Sequence, residues 1–235
     1  MRVDLHSHCR EHSACSLMAA QDLVCQARRK GLDAIAITDH HHFLGDEERD
    51  ALEEAAPGIR VLRGIEIAIE QAPGNGLSDD LLVIAPEPPP LPSPLAVDQL
   101  ERLAEYVRRT GALTVLAHPF RFHRHLAFSL ERFTPDAAEI GSVNILPRLR
   151  RRIIALTRRH GMWPVVGSDA HSLPAIGTYY LELDKTVGDE AGLARQIRAG
   201  RYAMKAHLPS LRSWARQTHR PLGRAVLSWA AGQAG

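Results

Sequence analysis

Histidine and carboxylate side chains recur in five short segments of this sequence, and they are the side chains best suited to chemistry. The segments are residues 4–8, 38–40, 64–66, 117–119 and 167–171. Imidazole and carboxylate groups together suit divalent ions of the zinc, manganese and iron type. The sequence therefore predicts a site for several metal ions, and metal-assisted hydrolysis is the first functional hypothesis.

Most of these segments directly follow a short apolar run that is typical of a β-strand. The residues in this position are His40, His118, Asp169 and His171. His6 and His8 lie two residues apart on a strand and would therefore share one face. Glu66 alternates with the isoleucines of its own strand. Because α/β barrels and open sheets carry their chemistry at the carboxyl ends of the strands, we expect these side chains to converge.

Hydrophobic periodicity predicts the elements that must position these groups. Strands are predicted at residues 2–5, 33–37, 59–69, 81–85, 113–116, 137–140, 164–166 and 178–183. Helices are predicted at residues 19–30, 45–56, 95–109, 146–160 and 190–199. Such alternation is typical of a mostly parallel α/β architecture, and the number of strands favours a barrel.

Composition bounds the class of protein. The chain has 235 residues, of which 45% are hydrophobic and 24% charged, as is ordinary for a globular protein. The net charge of +2 does not demand a nucleic-acid partner. Three cysteines without a C-x-x-C pair argue against a disulfide framework. The absence of an apolar signal segment or membrane-length run predicts a cytoplasmic protein with no membrane partner.

The five segments as a set resemble the polymerase and histidinol phosphatase (PHP) family of metal-dependent phosphoesterases. The resemblance covers residue 1 to about residue 205. It implies a distorted (β/α)7 barrel that holds two or three divalent ions, commonly zinc, manganese or iron. It also implies roles by position: His6, His8, Glu66 and Asp169 for one ion, Glu66 and His118 for a second, and His40 and His171 for a third.

Two positions depart from the family pattern. Cys15 stands where relatives carry another ligand of the third ion, and either a thiolate ligand or a bystander thiol fits this position. His12 would serve instead if the loop shifts. Asp80 stands where many relatives carry a histidine of the second site. A carboxylate there would give a harder site that tolerates manganese better, and the alternative is a weakly held second ion.

The expected reaction is hydrolysis of a small phosphomonoester or a nucleotide. No G-x-S-x-G nucleophile motif is present, so we expect attack by a metal-bound hydroxide and no covalent phosphoenzyme. Arg121 follows His118 closely and would contact the substrate phosphate, with a surface salt bridge as the alternative. A metal-bound water or one of the motif histidines, such as His40 or His171, would donate a proton to the leaving group.

Two other functions stay open at this level. An exonuclease or another oligonucleotide-trimming phosphodiesterase would use the arginines of residues 148–159 and 212–224 against a nucleic-acid backbone. Those arginines are equally compatible with solvated helix faces or a surface that attracts phosphorylated substrates. A non-catalytic metal-binding regulatory domain is the third possibility. It would be expected to have lost ligands, whereas nearly every ligand position here is chemically competent.

Residues 1–205 are predicted to form the catalytic barrel. Residues 206–235 are predicted to form a helical extension that packs on it. The specific substrate and the oligomeric state are left open by the sequence.

Overall fold

The fold is seen in a computed structural model that describes residues 1–72 and 76–207. The strands are β1 (Arg2–Asp4), β2 (Ala34–Ile37), β3 (Arg60–Glu70), β4 (Ser78–Ile84), β5 (Leu95–Ala96), β6 (Leu113–Leu116), β7 (Ala137–Gly141), β8 (Trp163–Val166), β9 (Tyr179–Leu183) and β10 (Tyr202–Ala206). The helices are α1 (Ala20–Arg29), α2 (Asp46–Ala55), α3 (Leu100–Thr110), α4 (Pro147–His160) and α5 (Glu190–Arg198). The α/β class is therefore confirmed.

The strands form one sheet in the order β10-β9-β1-β2-β3-β4-β6-β7-β8, with β5 paired to β3. β4 is antiparallel to both of its neighbours, β3 and β6, while β1–β2–β3 and β6–β7–β8 are parallel. These six strands therefore run in one direction, and β4 begins at the edge where they end. This arrangement gathers the ends of many strands at one edge.

Among the described residues the sheet is mixed: parallel pairs are in the majority, as the sequence predicted, but four pairs are antiparallel. β3–β4, β4–β6, β1–β9 and β9–β10 are all antiparallel. Only residues 71–77 connect β3 to β4, which is too short for the crossover that a parallel pair requires.

The sheet curls into a nearly closed barrel. Ser7 and Ala170, which follow β1 and β8, form an isolated parallel bridge. The His8 amide donates to the Ala170 carbonyl at 3.0 Å, and the Ala170 amide donates to the His6 carbonyl at 3.3 Å. This is the distorted barrel that the sequence led us to expect, and it closes at the ends of the strands that carry the histidines.

Apolar faces of the helices cover the sheet. In α1, Leu23 and Val24 lie in one buried cluster with Ile35 and Ile37 of β2. A larger cluster joins α3, α4 and α5 to the rest of the barrel. Both α3 and α4 end at a left-handed glycine, a conformation that costs glycine little because it has no Cβ.

Two elements differ from the prediction. The helix expected over residues 95–109 begins only at Leu100, because Leu95 and Ala96 pair with Ile69 and Glu70 of β3. β3 extends well beyond its pairing with β2, and its free edge accepts this short strand. β10 had no sequence signal, since it is an exposed strand whose residues lack apolar alternation.

The predicted helical extension lies almost entirely outside the described residues. β10 ends at Ala206, so the barrel boundary at residue 205 and the extension both stay predictions. Cys9, Cys15 and Cys25 are free thiols. Within residues 1–72 and 76–207, no helix has the length and apolar character needed to cross a membrane.

Candidate metal centre

The structure brings together seven of the predicted site residues at the carboxyl ends of the barrel strands. We call this set the inner cluster: His6, His8, His40, Glu66, His118, Asp169 and His171. The histidines and Asp169 stand in loops that follow β1, β2, β6 and β8, and Glu66 stands within β3. Glu66 reaches the same level because the long β3 continues past the end of β2, where His40 forms an isolated bridge with it.

Four atoms at the centre of the cluster converge on one point. His6 Nε2 lies 2.9 Å from His8 Nε2, and these nitrogens lie 3.3 and 3.2 Å from Glu66 Oε2. Asp169 Oδ1 lies 3.5 and 3.6 Å from the same two nitrogens. A tetrahedral ion with bonds of about 2.0 to 2.1 Å separates its ligand atoms by roughly 3.3 Å. The separations therefore match the edges of a metal polyhedron.

Asp169 provides an independent test of fit. Its Oδ1 atom is buried and has no hydrogen-bond partner among the described residues. An unpaired buried carboxylate oxygen is costly unless a cation compensates its charge. The four converging atoms thus fit a divalent ion in both chemistry and spacing.

The other three histidines extend the cluster in two directions. His118 Nε2 lies 3.1 Å from Glu66 Oε1, the carboxylate oxygen that is not among the four converging atoms. His6, Glu66 and His118 form a second set with metal-ligand spacing, and His8, His40 and His171 form a third. These sets parallel the three ion positions that the family resemblance implied, with His6 and His8 as additional shared members.

Burial and neighbouring charge give the imidazoles contrasting proton affinities. Burial lowers the pKa of both His40 and His171 to about 4, so both are neutral and able to bind metal at pH 7. Burial also disfavours the charged form of His118, but its hydrogen bond to Glu66 and the charges of the neighbouring carboxylates together raise its pKa to about 9. Burial would raise the pKa of Glu66, yet the charge on His6 and the hydrogen bond to His118 hold it well below its usual range.

Asp4 and Asp39 lie beneath the cluster and differ in what they hold. Asp39 accepts hydrogen bonds from Ser13 Oγ at 2.6 Å and from the Cys9 amide at 2.7 Å. Ser13 Oγ in turn lies 3.4 Å from His8 Nδ1, so Asp39 reaches that imidazole through Ser13. Asp4 accepts the backbone amides of Ser168 and Gly177 and therefore orients the chain rather than an imidazole.

The carboxylate that orients His6 is Glu139 in β7, which the sequence reasoning missed. Its Oε1 lies 3.0 Å from His6 Nδ1, and its Oε2 accepts the His118 amide at 3.0 Å. Glu139 is fully buried. A carboxylate that contacts the other ring nitrogen of a ligand histidine fixes the tautomer and the orientation of its ring. The available signal was a lone acid within the apolar strand Ala137–Gly141.

Backbone strain marks two members of the cluster. Asp169 and His118 have φ angles of 52° and 28°, in a region that residues other than glycine rarely adopt. Such strain persists only where the surroundings enforce it, and it concentrates at functional sites. Asn144, also missed from the sequence, helps to hold Asp169 by donating from Nδ2 to Asp169 Oδ2 at 2.6 Å.

The two positions that depart from the family pattern lie at the edges of the cluster. Asp80, at the start of β4, has Oδ2 at 3.9 Å from His118 Nε2, and burial together with the charge of Glu66 raises its pKa to about 6. Cys15 belongs to none of the ligand sets formed by the described residues, and burial raises its pKa to about 11. His12 lies in a separate set with His42 and Glu48. The ligand roles expected for Cys15 and Asp80 stay predictions.

Arg121 stands at the mouth of the site. Its Nη1 lies 3.5 Å from Asp169 Oδ2, its guanidinium packs over the Phe122 ring at 4.8 Å, and its side chain is 30% exposed. A shallow cleft beside it is lined by Asp80, His118 and Phe122. Arg121 and His118 therefore line the same small cleft.

Comparison with known proteins agrees with this geometry. A family model described as the PHP domain matches residues 4–171, and a second, described as PHP-associated, matches residues 147–202. The chain therefore belongs to the PHP family. Its class is that of the metal-dependent phosphoric ester hydrolases, which use divalent metal ions.

The individual relatives have low sequence identity to this chain. The probable phosphatase YcdX of Escherichia coli O81 (strain ED1a) is 27% identical over an alignment of 203 residues, and the match covers 75% of this chain and 81% of that protein. A two-domain protein from Bacteroides vulgatus, containing a predicted PHP-like metal-dependent phosphoesterase, superposes with a TM-score of 0.67 at 17% identity. That match covers 88% of this chain but only 65% of the other, less than two thirds of its length. PsfC from Pseudomonas syringae gives a TM-score of 0.62 at 17% identity, covering 92% and 95% of the two chains.

Proposed function

We propose that this enzyme hydrolyses phosphomonoesters of small molecules with two or three divalent ions of the zinc, manganese or iron type. The observation that carries the proposal is the group of four converging ligand atoms around the unpaired Asp169 Oδ1. Family membership and the similarity to a probable phosphatase support the same reaction class. Ions held there would acidify a bound water and offset the charge of a phosphoryl group.

The residues of the chain divide the remaining work. His6, His8, Glu66 and Asp169 would hold the first ion, and His118 with Glu66 a second. His40 and His171 would complete a third position, and their low pKa keeps both imidazoles unprotonated at pH 7. A role of either histidine in donating a proton to the leaving group stays a prediction. Asp80 would add a carboxylate to the second position.

Arg121 would bind the substrate phosphate. The guanidinium makes only a loose contact with Asp169, so its donors remain available to an incoming oxyanion. A planar guanidinium can present two parallel N–H groups to a phosphate, which an ammonium cannot do in the same way. Phe122 supports the guanidinium plane from one side.

The test is phosphate release from a panel of sugar phosphates, nucleoside monophosphates and p-nitrophenyl phosphate by protein loaded with Mn²⁺ or Zn²⁺. We expect activity on some members, loss of at least about a hundredfold in Glu66→Gln, and a raised KM in Arg121→Ala that Arg121→Lys corrects only in part. Absence of phosphate release from every ester would overturn the proposal. An unchanged KM in Arg121→Ala would remove Arg121 from the binding site.

The alternative of a nucleic-acid substrate has one supporting observation. Six arginines of α4 are exposed, and none forms an ion pair with a carboxylate among the described residues: Arg148, Arg150, Arg151, Arg152, Arg158 and Arg159. Arg152 donates to the Arg124 carbonyl and packs over the Phe120 ring. Exposed guanidinium groups without a carboxylate partner suit a phosphodiester backbone. Short oligonucleotides labelled at the 5′ end separate the two functions, because stepwise shortening, steeply weakened by salt, would favour the nuclease.

A further inference from the structure

A second group of metal-ligand type lies outside the inner cluster, between the loop that follows β1 and the start of α2. We call it the outer triad: His12, His42 and Glu48. His12 Nε2 lies 3.3 Å from Glu48 Oε1, and His42 Nε2 lies 3.3 Å from Glu48 Oε2. The imidazole rings of His12 and His42 are stacked, with centroids 3.4 Å apart and planes within 12°.

The spacing of the outer triad fits ligand atoms on one metal ion, and without an ion the 3.3 Å contact between His42 Nε2 and Glu48 Oε2 is a long hydrogen bond. Ideal N–H···O hydrogen bonds are about 2.7 to 3.2 Å long, whereas roughly 3.3 Å is the separation of two ligand atoms on a tetrahedral ion. The three ligand atoms all lie within 4.8 Å of one another. The two imidazole rings lie face to face, and their Nε2 atoms contact the two oxygens of the same carboxylate.

The local structure holds Glu48 in place for this role. Its Oε2 accepts the Gly45 amide at 2.8 Å at the start of α2, which fixes the side chain against the helix terminus. Oε1 faces His12. The side chains of His12, His42 and Glu48 are 26%, 33% and 43% exposed, so an ion can reach them from solvent.

We propose that the outer triad binds a Zn²⁺ ion that is separate from the ions of the inner cluster. Two imidazoles and a carboxylate are a known three-ligand set for zinc, and they leave a fourth position for water or another ligand. That position has room, because a cavity of about 390 Å³ beside the triad is lined by His12, Glu48 and Leu52. His12 would therefore serve this ion and not the third ion of the inner cluster.

An ion in the outer triad would join two segments that support the inner cluster. His12 is adjacent to Ser13, whose hydroxyl accepts the His40 amide at 3.0 Å and donates to Asp39. His42 follows His40 by two residues. The ion would thus clamp the loop after β1 to the loop after β2 and to α2. This consequence concerns loop rigidity and does not depend on which ester the enzyme hydrolyses.

The test counts ions. Wild type, His12→Gln, His42→Ala and Glu48→Gln are saturated with Zn²⁺, dialysed and analysed by plasma mass spectrometry. His125→Ala is the control, since His125 is exposed and belongs to no ligand set among the described residues. Glu48→Gln retains an oxygen for the Gly45 amide, so α2 should still form. We expect each of the three triad variants to bind about one ion fewer per chain than wild type and the control.

Two results would overturn the outer site. The first is an unchanged zinc content in all three variants. The second is a loss confined to His12→Gln, which would return His12 to the inner cluster. Because the measurement is metal content with a melting curve as the check on folding, it is independent of phosphate release. The zinc content would still test this site if the protein hydrolysed none of the esters.

Discussion

At the scale of single residues, the inner cluster is defined by what each carboxylate touches. Glu66 uses one oxygen towards His6, His8 and His40 and the other towards His118. A carboxylate placed between imidazoles in this way is suited to bridge two ions. Asp169 Oδ1 faces His6 and His8, and Asp169 Oδ2 accepts a hydrogen bond from Asn144.

Glu139 provides the sharpest prediction at this scale. We expect Glu139→Gln to lower the affinity for the first ion by about 10- to 100-fold. The carboxylate of Glu139 orients His6 and raises the basicity of its imidazole, and an amide does both less well. Mn²⁺ titration monitored by calorimetry measures the change. A structural role alone would lower the melting temperature without changing the affinity of the folded protein, so equal affinities in the two proteins would rule out a positioning role.

At the scale of elements, the site depends on how closely β1, β7 and β8 pack where they end. Gly167, directly after β8, lies so close to β1 and β7 that a Cβ would stand 2.8 Å from Glu139 Oε1 and 2.9 Å from the His6 Cβ. Both distances are shorter than ordinary van der Waals contact. The absence of a side chain at residue 167 is therefore a condition for the position of His6.

Gly167→Ala tests this close packing. We expect a loss of about 1 to 3 kcal/mol in the free energy of unfolding and a weaker first metal site, since His6 or Glu139 must move. Urea denaturation and metal titration measure the two effects. Gly188→Ala is the matched control, because a Cβ there meets nothing within 4 Å, and its expected effect is within about 0.5 kcal/mol. Similar results for the two variants would contradict the packing argument.

Sequence information differed in value between elements for physical reasons. The strand-end histidines were predictable because each follows an apolar run, and parallel strands bring such positions to one edge. Glu139 was not, because a single acid in a strand has no partner at a recognisable spacing. β5 and β10 were missed as well: β5 exists only through the free edge of β3, and β10 is an exposed edge strand. Tertiary pairing decides such segments.

At the scale of the whole molecule, the barrel is a means of burying charge that metal ions can compensate. Glu66 and Asp169 are almost wholly buried beside His6 and His8, which are fully buried. Because β4 is antiparallel to β3, Asp80 near the start of β4 lies at the same edge of the sheet. Without ions, protons on the imidazoles must balance these carboxylates. Metal binding and protonation therefore compete for the same nitrogens, and the competition links pH to the stability of the molecule.

The sign of this linkage follows from the imidazoles. Burial lowers the pKa of His6, but the charges of Glu139, Asp169 and Glu66 together outweigh it and raise the pKa well above the usual value. The pKa of His118 is raised to about 9. In the metal-free protein, the stability contributed by a raised histidine pKa is present below pH 6.5 and is lost as the pH rises through the folded-state pKa. Metal binding must release these protons below pH 9, so its affinity increases with pH. His40 and His171, with a pKa of about 4, release none near neutrality.

We therefore expect the stabilisation by Mn²⁺ to grow between pH 6.5 and 8.5. Each proton released contributes about a tenfold gain in affinity per pH unit, or about 1.4 kcal/mol of additional stabilisation at saturating metal. Melting temperatures with Mn²⁺ and with a chelator, measured at several pH values, give the difference directly. In His118→Asn one of these protons is absent, so the difference should rise less steeply with pH. A difference that does not change with pH in the wild type would show that the buried carboxylates are not balanced by protonated imidazoles in the metal-free protein.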